Sequence, residues 1–205
     1  MKVCSDKMKK KQLEILLEKV ERFDSPSAYL EQYSTPAPIA AELLFFALMN
    51  GDLDETVYDL GCGTGILAIG AGLLGANKIV GFDIDNDSLK IARHNAAKFE
   101  VNIEYVCIRI EDVQGKVHTV LMNPPFGAQN KGNDRPFLKR AVELADVVYS
   151  IHNAGSYEFI KKFISPAVIT DSYILGFPIE RTFKFHKKDK EVVNVEIYRI
   201  EKKSA

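Results

Sequence analysis

The sequence predicts an α/β fold: seven strands with a parallel core, helices on both faces, and an antiparallel hairpin at the C-terminal end. Three observations predict it. From Thr56 onward short β-branched runs alternate with helical stretches, the succession that builds a parallel sheet covered on both faces. After Pro166 two extended runs, Val168–Phe177 and Val192–Ile200, follow with no long helix between them, so they pair antiparallel at an edge. A turn carrying Gly61, Gly63 and Gly65 stands where the first strand hands over to a helix.

Taken in order, Lys9–Phe23 places Leu13, Leu16, Leu17, Val20 and Phe23 at helical spacing, and Asp24-Ser25-Pro26 ends that helix. A second helix is predicted over Pro38–Asn50, entered through the proline-punctuated Ser34–Pro38 and closed by Gly51. Strands follow at Val57–Asp59, Lys78–Asp83, Ile103–Ile110, Thr119–Asn123 and Val147–His152. Helices lie between and after them at Ile66–Leu74, Asp87–Phe99, Phe137–Ala145 and Tyr157–Phe163.

The chain has 205 residues, 46% hydrophobic and 27% charged, and a mean hydropathy of -0.09, which bounds it to one ordinary globular domain. Ala40–Met49, the longest apolar candidate, is broken by Glu42 and falls short of the roughly 18 residues a membrane span needs. The N-terminus has basic residues without an apolar core behind them, so no signal peptide is expected. Cys4, Cys62 and Cys107 are an odd number without metal-ligand spacing, which points to free thiols in a reducing cytoplasm and indicates no metal site. Twenty-seven basic against 28 acidic side chains leave a net charge of -1, so any nucleic-acid surface has to be a local patch.

The glycines of Asp59-Leu60-Gly61-Cys62-Gly63-Thr64-Gly65 let a ligand approach the backbone and leave N–H groups at a helix start. Asp83 lies 22 residues after Gly61, at the end of the second strand, where an acid accepts the ribose hydroxyls of an adenosine cofactor; Asp85 or Asn86 is placed to cap the next helix. The spacing is not the dinucleotide fingerprint, and Asp59 at the tip of strand one would repel a phosphate. Beside a cationic sulfonium and an α-amino group it is welcome. The turn resembles the first motif of class I S-adenosylmethionine-dependent methyltransferases, whose Rossmann-like sheet also ends in a hairpin.

At the end of strand four stands Asn123-Pro124-Pro125-Phe126, on the same cleft as the glycine turn. The lone pair of an aromatic amine is delocalised into its ring. Two acceptors, the Asn123 side-chain oxygen and the Pro124 carbonyl, can bind its two N–H groups and hold the nitrogen in line with a methyl donor. Prolines stiffen the loop and remove competing donors, and Phe126 offers a stacking face. The tetrapeptide is similar to that of methyltransferases acting on adenine N6, cytosine N4, guanine N2 or glutamine amide.

Leu30-Glu31-Gln32-Tyr33-Ser34-Thr35, the run from Asn123 to Asp134 and Phe183–Lys188 extend the likeness. With the glycine turn and Gly81–Asp85, they resemble the small-subunit ribosomal RNA adenine-N6 methyltransferases of archaea and eukaryotes, from about Tyr29 onward. The resemblance implies S-adenosylmethionine as cofactor and one domain, 1–205, with 1–50 as helical extension and cofactor lid and 51–205 as catalytic core. It implies cofactor contacts from Gln32, Thr35, Asp59, Gly61, Gly63, Thr64, Ile66, Asp83, Ile84 and Asn123. Where the family carries an acid near the end of strand three, this chain has Arg109 and Ile110; either backbone at Ile110 or Asp112 serves there. It further implies a small zinc-binding activator protein that pairs with a sheet edge, for which the apolar strand three is a candidate; its apolar residues could equally face the protein's own helices.

Lys184, His186, Lys187, Lys188 and Lys190, interleaved with Arg181, Phe183 and Phe185, form one basic patch, and Lys131, Arg135, Lys139 and Arg140 a second. Both read as RNA-binding surface beside the cleft. The expected activity is adenine-N6 methylation of structured RNA. The alternatives are another planar amino group (guanine N2, DNA adenine or a protein glutamine amide) or a non-catalytic cofactor-binding assembly factor.

Overall fold

Strand parity builds the molecule. Along β1 (Thr56–Leu60), Val57 joins the core on one face of a sheet while Tyr58 and Leu60 pack on the other. The same alternation runs through β2 (Lys78–Asp83), β4 (Val117–Met122) and β5 (Ala145–Asn153): Ile79, Leu121 and Tyr149 on the first face, Val80, Val120 and Val148 on the second. Both faces are therefore apolar, as a covered parallel sheet requires. The structure, a computed structural model, describes residues 8–23, 27, 31–125, 132–180 and 190–203. Its seven strands lie in the order β3-β2-β1-β4-β5-β7-β6. The first five are parallel, and β7 (Lys190–Glu201) runs antiparallel between β5 and β6 (Val168–Glu180).

One face is covered by α1 (Lys10–Leu17), α2 (Ala37–Met49), α3 (Ile66–Leu73) and α4 (Asn86–Lys98), the other by α5 (Arg135–Leu144) and α6 (Tyr157–Phe163). Leu13, Leu17, Leu43 and Leu44 are wholly buried in the first core, so the N-terminal helices belong to the sheet's packing. Among the described residues no helix is long and apolar enough to cross a membrane.

Of the predicted boundaries that shift, two have a visible cause in the packing. The first helix stops at Leu17 rather than Phe23 because buried Asn95 of α4 takes over the chain at Glu21: its amide oxygen accepts from the Glu21 N–H (3.0 Å) and its NH2 donates to the Glu21 carbonyl (3.1 Å). The third strand, expected over Ile103–Ile110, spans only Glu104–Cys107 (β3), since a 3-10 turn over Ile110–Asp112 drives Ile110 into the second core. β3 is an edge strand, and its apolar residues turn inward: Tyr105 is buried, and Ile103 and Val106 pack against the two cores.

In the turn between α2 and β1, buried Asp52 ties the sheet together. Its carboxylate accepts from the Tyr149 hydroxyl (2.5 Å) and Arg199 Nε (2.9 Å), and its carbonyl accepts from Thr119 Oγ1 (2.5 Å). Truncation leaves a largely buried guanidinium and a buried phenol without that carboxylate. Asp52→Ala is therefore expected to destabilise the fold by about 3 kcal/mol in urea denaturation.

Candidate active site

The first turn after β1 is made possible by its glycines. Gly61, Gly63 and Gly65 have φ of 70°, 53° and 90°, the left-handed region that other residues avoid. The N–H groups of Gly61 and Cys62 both donate to the Phe82 carbonyl (2.8 and 3.0 Å), which fastens the turn to β2. Its outer side is close-packed: a Cβ on Gly61 would stand 2.7 Å from the Phe137 ring, and one on Gly63 2.9 Å from Phe23. Asn95 adds a bond to the Thr64 carbonyl (3.0 Å).

Two carboxylates stand beneath this turn. Asp59 is buried; its Oδ2 accepts from the Ala68 N–H (3.0 Å), capping α3 from nine residues upstream, and its Oδ1 has no partner. Burial pushes its carboxyl up to about 7, the Ala68 N–H opposing and the nearby Asp83 adding to the rise. Asp83 accepts from the Gly63 N–H (2.8 Å) and from the Asp85 N–H (2.9 Å). Burial raises it too, against the pull of those hydrogen bonds. Asp85 caps α4 through the Asp87 N–H (3.0 Å).

The opposite wall of this cleft, about 330 Å³ in volume, comes from the segment before α2 and the loop after β4. Gln32 is an anchor: its NH2 donates to Asp85 Oδ2 (2.7 Å) and Ser88 Oγ (3.1 Å), while its oxygen accepts from the Ser27 N–H (2.8 Å). Buried Thr35 accepts a hydrogen bond from Asn123 Nδ2 (2.8 Å). Asn133, past the loop, donates to Glu31 (2.9 Å).

The cleft brings together Gln32, Thr35, Asp59, Gly61, Gly63, Thr64, Ile66, Asp83, Ile84, Arg109, Ile110, Asn123 and Pro125, residues scattered over 94 positions of chain. Glu111 lines it and Asp112 does not. Arg135 stands outside it, over the Phe159 ring (5.4 Å), and borders a neighbouring hollow with Lys139 and Arg140. Phe126, Lys131, Arg181, Lys184, His186, Lys187 and Lys188 lie outside the described residues. Sequence reasoning missed Phe23, Tyr33 and Phe137 as parts of the site; only Tyr33 had a signal, its place between Gln32 and Thr35.

An unpaired, desolvated carboxylate oxygen next to a glycine turn fits an ammonium or sulfonium group, and Asp83 at the neighbouring strand tip fits a diol. Such a sheet and cleft define a class I S-adenosylmethionine-dependent methyltransferase. The family model described as Ribosomal protein L11 methyltransferase (PrmA) matches residues 42–123, the stretch that holds the glycine turn and both carboxylates. Two relatives match nearly end to end: the rRNA N(6)-adenosine-methyltransferase METTL5 of Danio rerio, 39% identical over 94% of this chain and 98% of that protein, and Mettl5 of Drosophila melanogaster, 36% identical over 95% and 97%. The crystal structure of the Pyrococcus horikoshii protein PH1948 superposes with a TM-score of 0.87 at 40% identity, covering 95% of this chain and 98% of that one. The chain belongs to the rRNA N6-adenosine-methyltransferase family.

A carboxyl raised by folding costs stability as pH climbs from its unfolded value of about 3.9 towards about 7, since the native state keeps a proton that the unfolded chain releases. A cationic ligand beside Oδ1 reverses that preference. Cofactor affinity is expected to rise between about pH 5.5 and about pH 7.5, with most of the rise absent in Asp59→Asn. Isothermal titration across that range checks it.

Proposed function

We propose that this chain transfers a methyl group from S-adenosylmethionine to N6 of an adenine in structured small-subunit ribosomal RNA. The observation that carries the reading is the orientation of the Asn123 amide. Its NH2 is committed to Thr35, so its oxygen is the atom left for an incoming donor, beside the carbonyl of Pro124, which itself has no N–H. Both atoms are acceptors, which suits an exocyclic NH2.

S-adenosylmethionine supplies an electrophilic methyl carbon on a sulfonium. Asp59 and the turn Gly61–Thr64 hold the methionine end, and Asp83 accepts the ribose hydroxyls. Ile66, Ile84 and Ile110 provide apolar surface around the base, with Arg109 and Glu111 at the rim. Gln32 and Thr35 close the lid. Asn123 and Pro124 grip the two N–H groups of the adenine and draw the nitrogen lone pair towards the methyl carbon. Pro125 stiffens the loop, and Phe126 stacks on the base. The nitrogen–carbon bond forms as the carbon–sulfur bond breaks, the electron pair goes to sulfur, and the surplus N6 proton passes to water. Positioning and electrostatics carry the barrier without a general base.

Arg135, Lys131 and the basic run Arg181, Lys184, His186, Lys187 and Lys188 hold the RNA backbone. The outer edge of β3, which has no neighbouring strand among the described residues, receives the small zinc-binding activator. The chain acts as one domain, residues 1–50 forming extension and lid and 51–205 the catalytic core, in the cytoplasm. Incubation with labelled cofactor and separate RNA, DNA and protein fractions tests the reading: label enters small-subunit rRNA, and label confined to protein or DNA refutes it. Asn123→Ala is expected to lower kcat by about 100-fold or more while cofactor affinity stays within about two-fold. Parallel turnover and calorimetric measurements check the split.

A further inference from the structure

The seat assigned to the target amine has a donor from the protein itself. The Tyr33 hydroxyl donates to the Pro124 carbonyl (3.2 Å) and stands 3.5 Å from Asn123 Oδ1. These are the two oxygens that the mechanism reserves for the adenine N–H groups. Both neighbours of the amide come from one short segment, Thr35 taking its NH2 and Tyr33 facing its oxygen, so the two contacts agree on the same amide orientation. The segment is pinned ahead of Tyr33 by the Glu31–Asn133 and Gln32–Asp85 hydrogen bonds and after it by Thr35–Asn123. Between those pins Tyr33 is 39% exposed, at the solvent side of the cleft rather than in either core. Glu31, just ahead, holds a φ of 50°, a backbone state unusual for a side-chain-bearing residue.

We propose that Tyr33 is a substrate-displaced residue: its hydroxyl keeps the seat of the target amine, and an entering adenine expels it and takes over the same two acceptors. Desolvation, with Glu31 adding to it, keeps the phenol protonated and so a donor. The exchange is donor for donor. It keeps Asn123 and Pro124 solvated by protein between turnovers and rejects bases that present no NH2, because they would leave both acceptors unpaired.

The inference rests on the proposed acceptor chemistry and is separable from it. Tyr33→Phe keeps the ring and removes only the hydroxyl. With an in vitro transcript of small-subunit rRNA, it is expected to lower KM for RNA by about two-fold to ten-fold, the equivalent of one intramolecular hydrogen bond that no longer has to be broken. Its kcat and its affinity for S-adenosylhomocysteine are measured in parallel, so that the change in KM is read at saturating cofactor. A fluorotyrosine placed at position 33 is expected to shift its 19F resonance when the transcript is added to protein already saturated with S-adenosylhomocysteine. A KM that is unchanged or raised in Tyr33→Phe, or a resonance that the transcript does not move, overturns the proposal. An unsubstituted protein that puts no label into RNA refutes the proposed function instead.

Discussion

The site depends on a charge deficit built into adjacent strands. Asp59 and Asp83 stand at the C-terminal ends of β1 and β2; burial raises the cost of ionising both, and Asp83 adds to that of Asp59. Both carboxylates are held by backbone N–H groups, Asp59 by Ala68 in the first turn of α3 and Asp83 by Gly63 and Asp85. That accounting leaves Asp59 Oδ1 unmatched. A ligand is therefore selected by sign: a phosphate is repelled, and a cation is drawn in to complete the shell. Fold and ligand choice are the same fact here, since the glycine turn that caps α3 also fixes where the deficit lies.

The acceptor half follows a different rule, economy of donors. An amide side chain offers one acceptor and one NH2 group, and on Asn123 the latter is already spent on Thr35. Pro124 and Pro125 bring no N–H at all. The Tyr33 hydroxyl is the protein donor set against the Asn123 oxygen and the Pro124 carbonyl; under the proposed function, such an acceptor pair takes amines irrespective of the ring that carries them. This is why the PrmA model and the rRNA adenine relatives can share the cofactor half while the acceptor must be chosen by what surrounds the seat.

Legibility in the sequence tracks the range of the interactions. The β-branched runs, the glycine spacing and the acid 22 residues on are local patterns, and the seven-stranded sheet with its antiparallel C-terminal hairpin followed from them. The end of α1 did not, because the group that stops it is Asn95, 74 positions away from Glu21. The shortening of β3 was hidden for the same reason: Ile110 reads as one more strand residue until the second core claims it. Gln32 and Thr35 were located by likeness, yet their partners, Asp85 and Asn123, could be paired with them only in three dimensions. The buried network at Asp52 left no sequence trace at all, since Tyr149 and Arg199 alternate like any other strand residues.

The N-terminal segment links these two halves, and that linkage explains why α1 and α2 are packed into the core rather than appended to it. Gln32 fastens to α4 behind the cofactor carboxylates, while Thr35, three residues later, holds the amide of the acceptor loop. A shift of this segment by one residue would break both contacts together. Its register is set from one side by Asn95, which grips Glu21, and from the other by the wholly buried Leu43 and Leu44 of α2. Core packing and this carboxamide thus share one short stretch of chain: the buried leucines of α2 hold the segment that carries Thr35, and Thr35 takes the NH2 of Asn123.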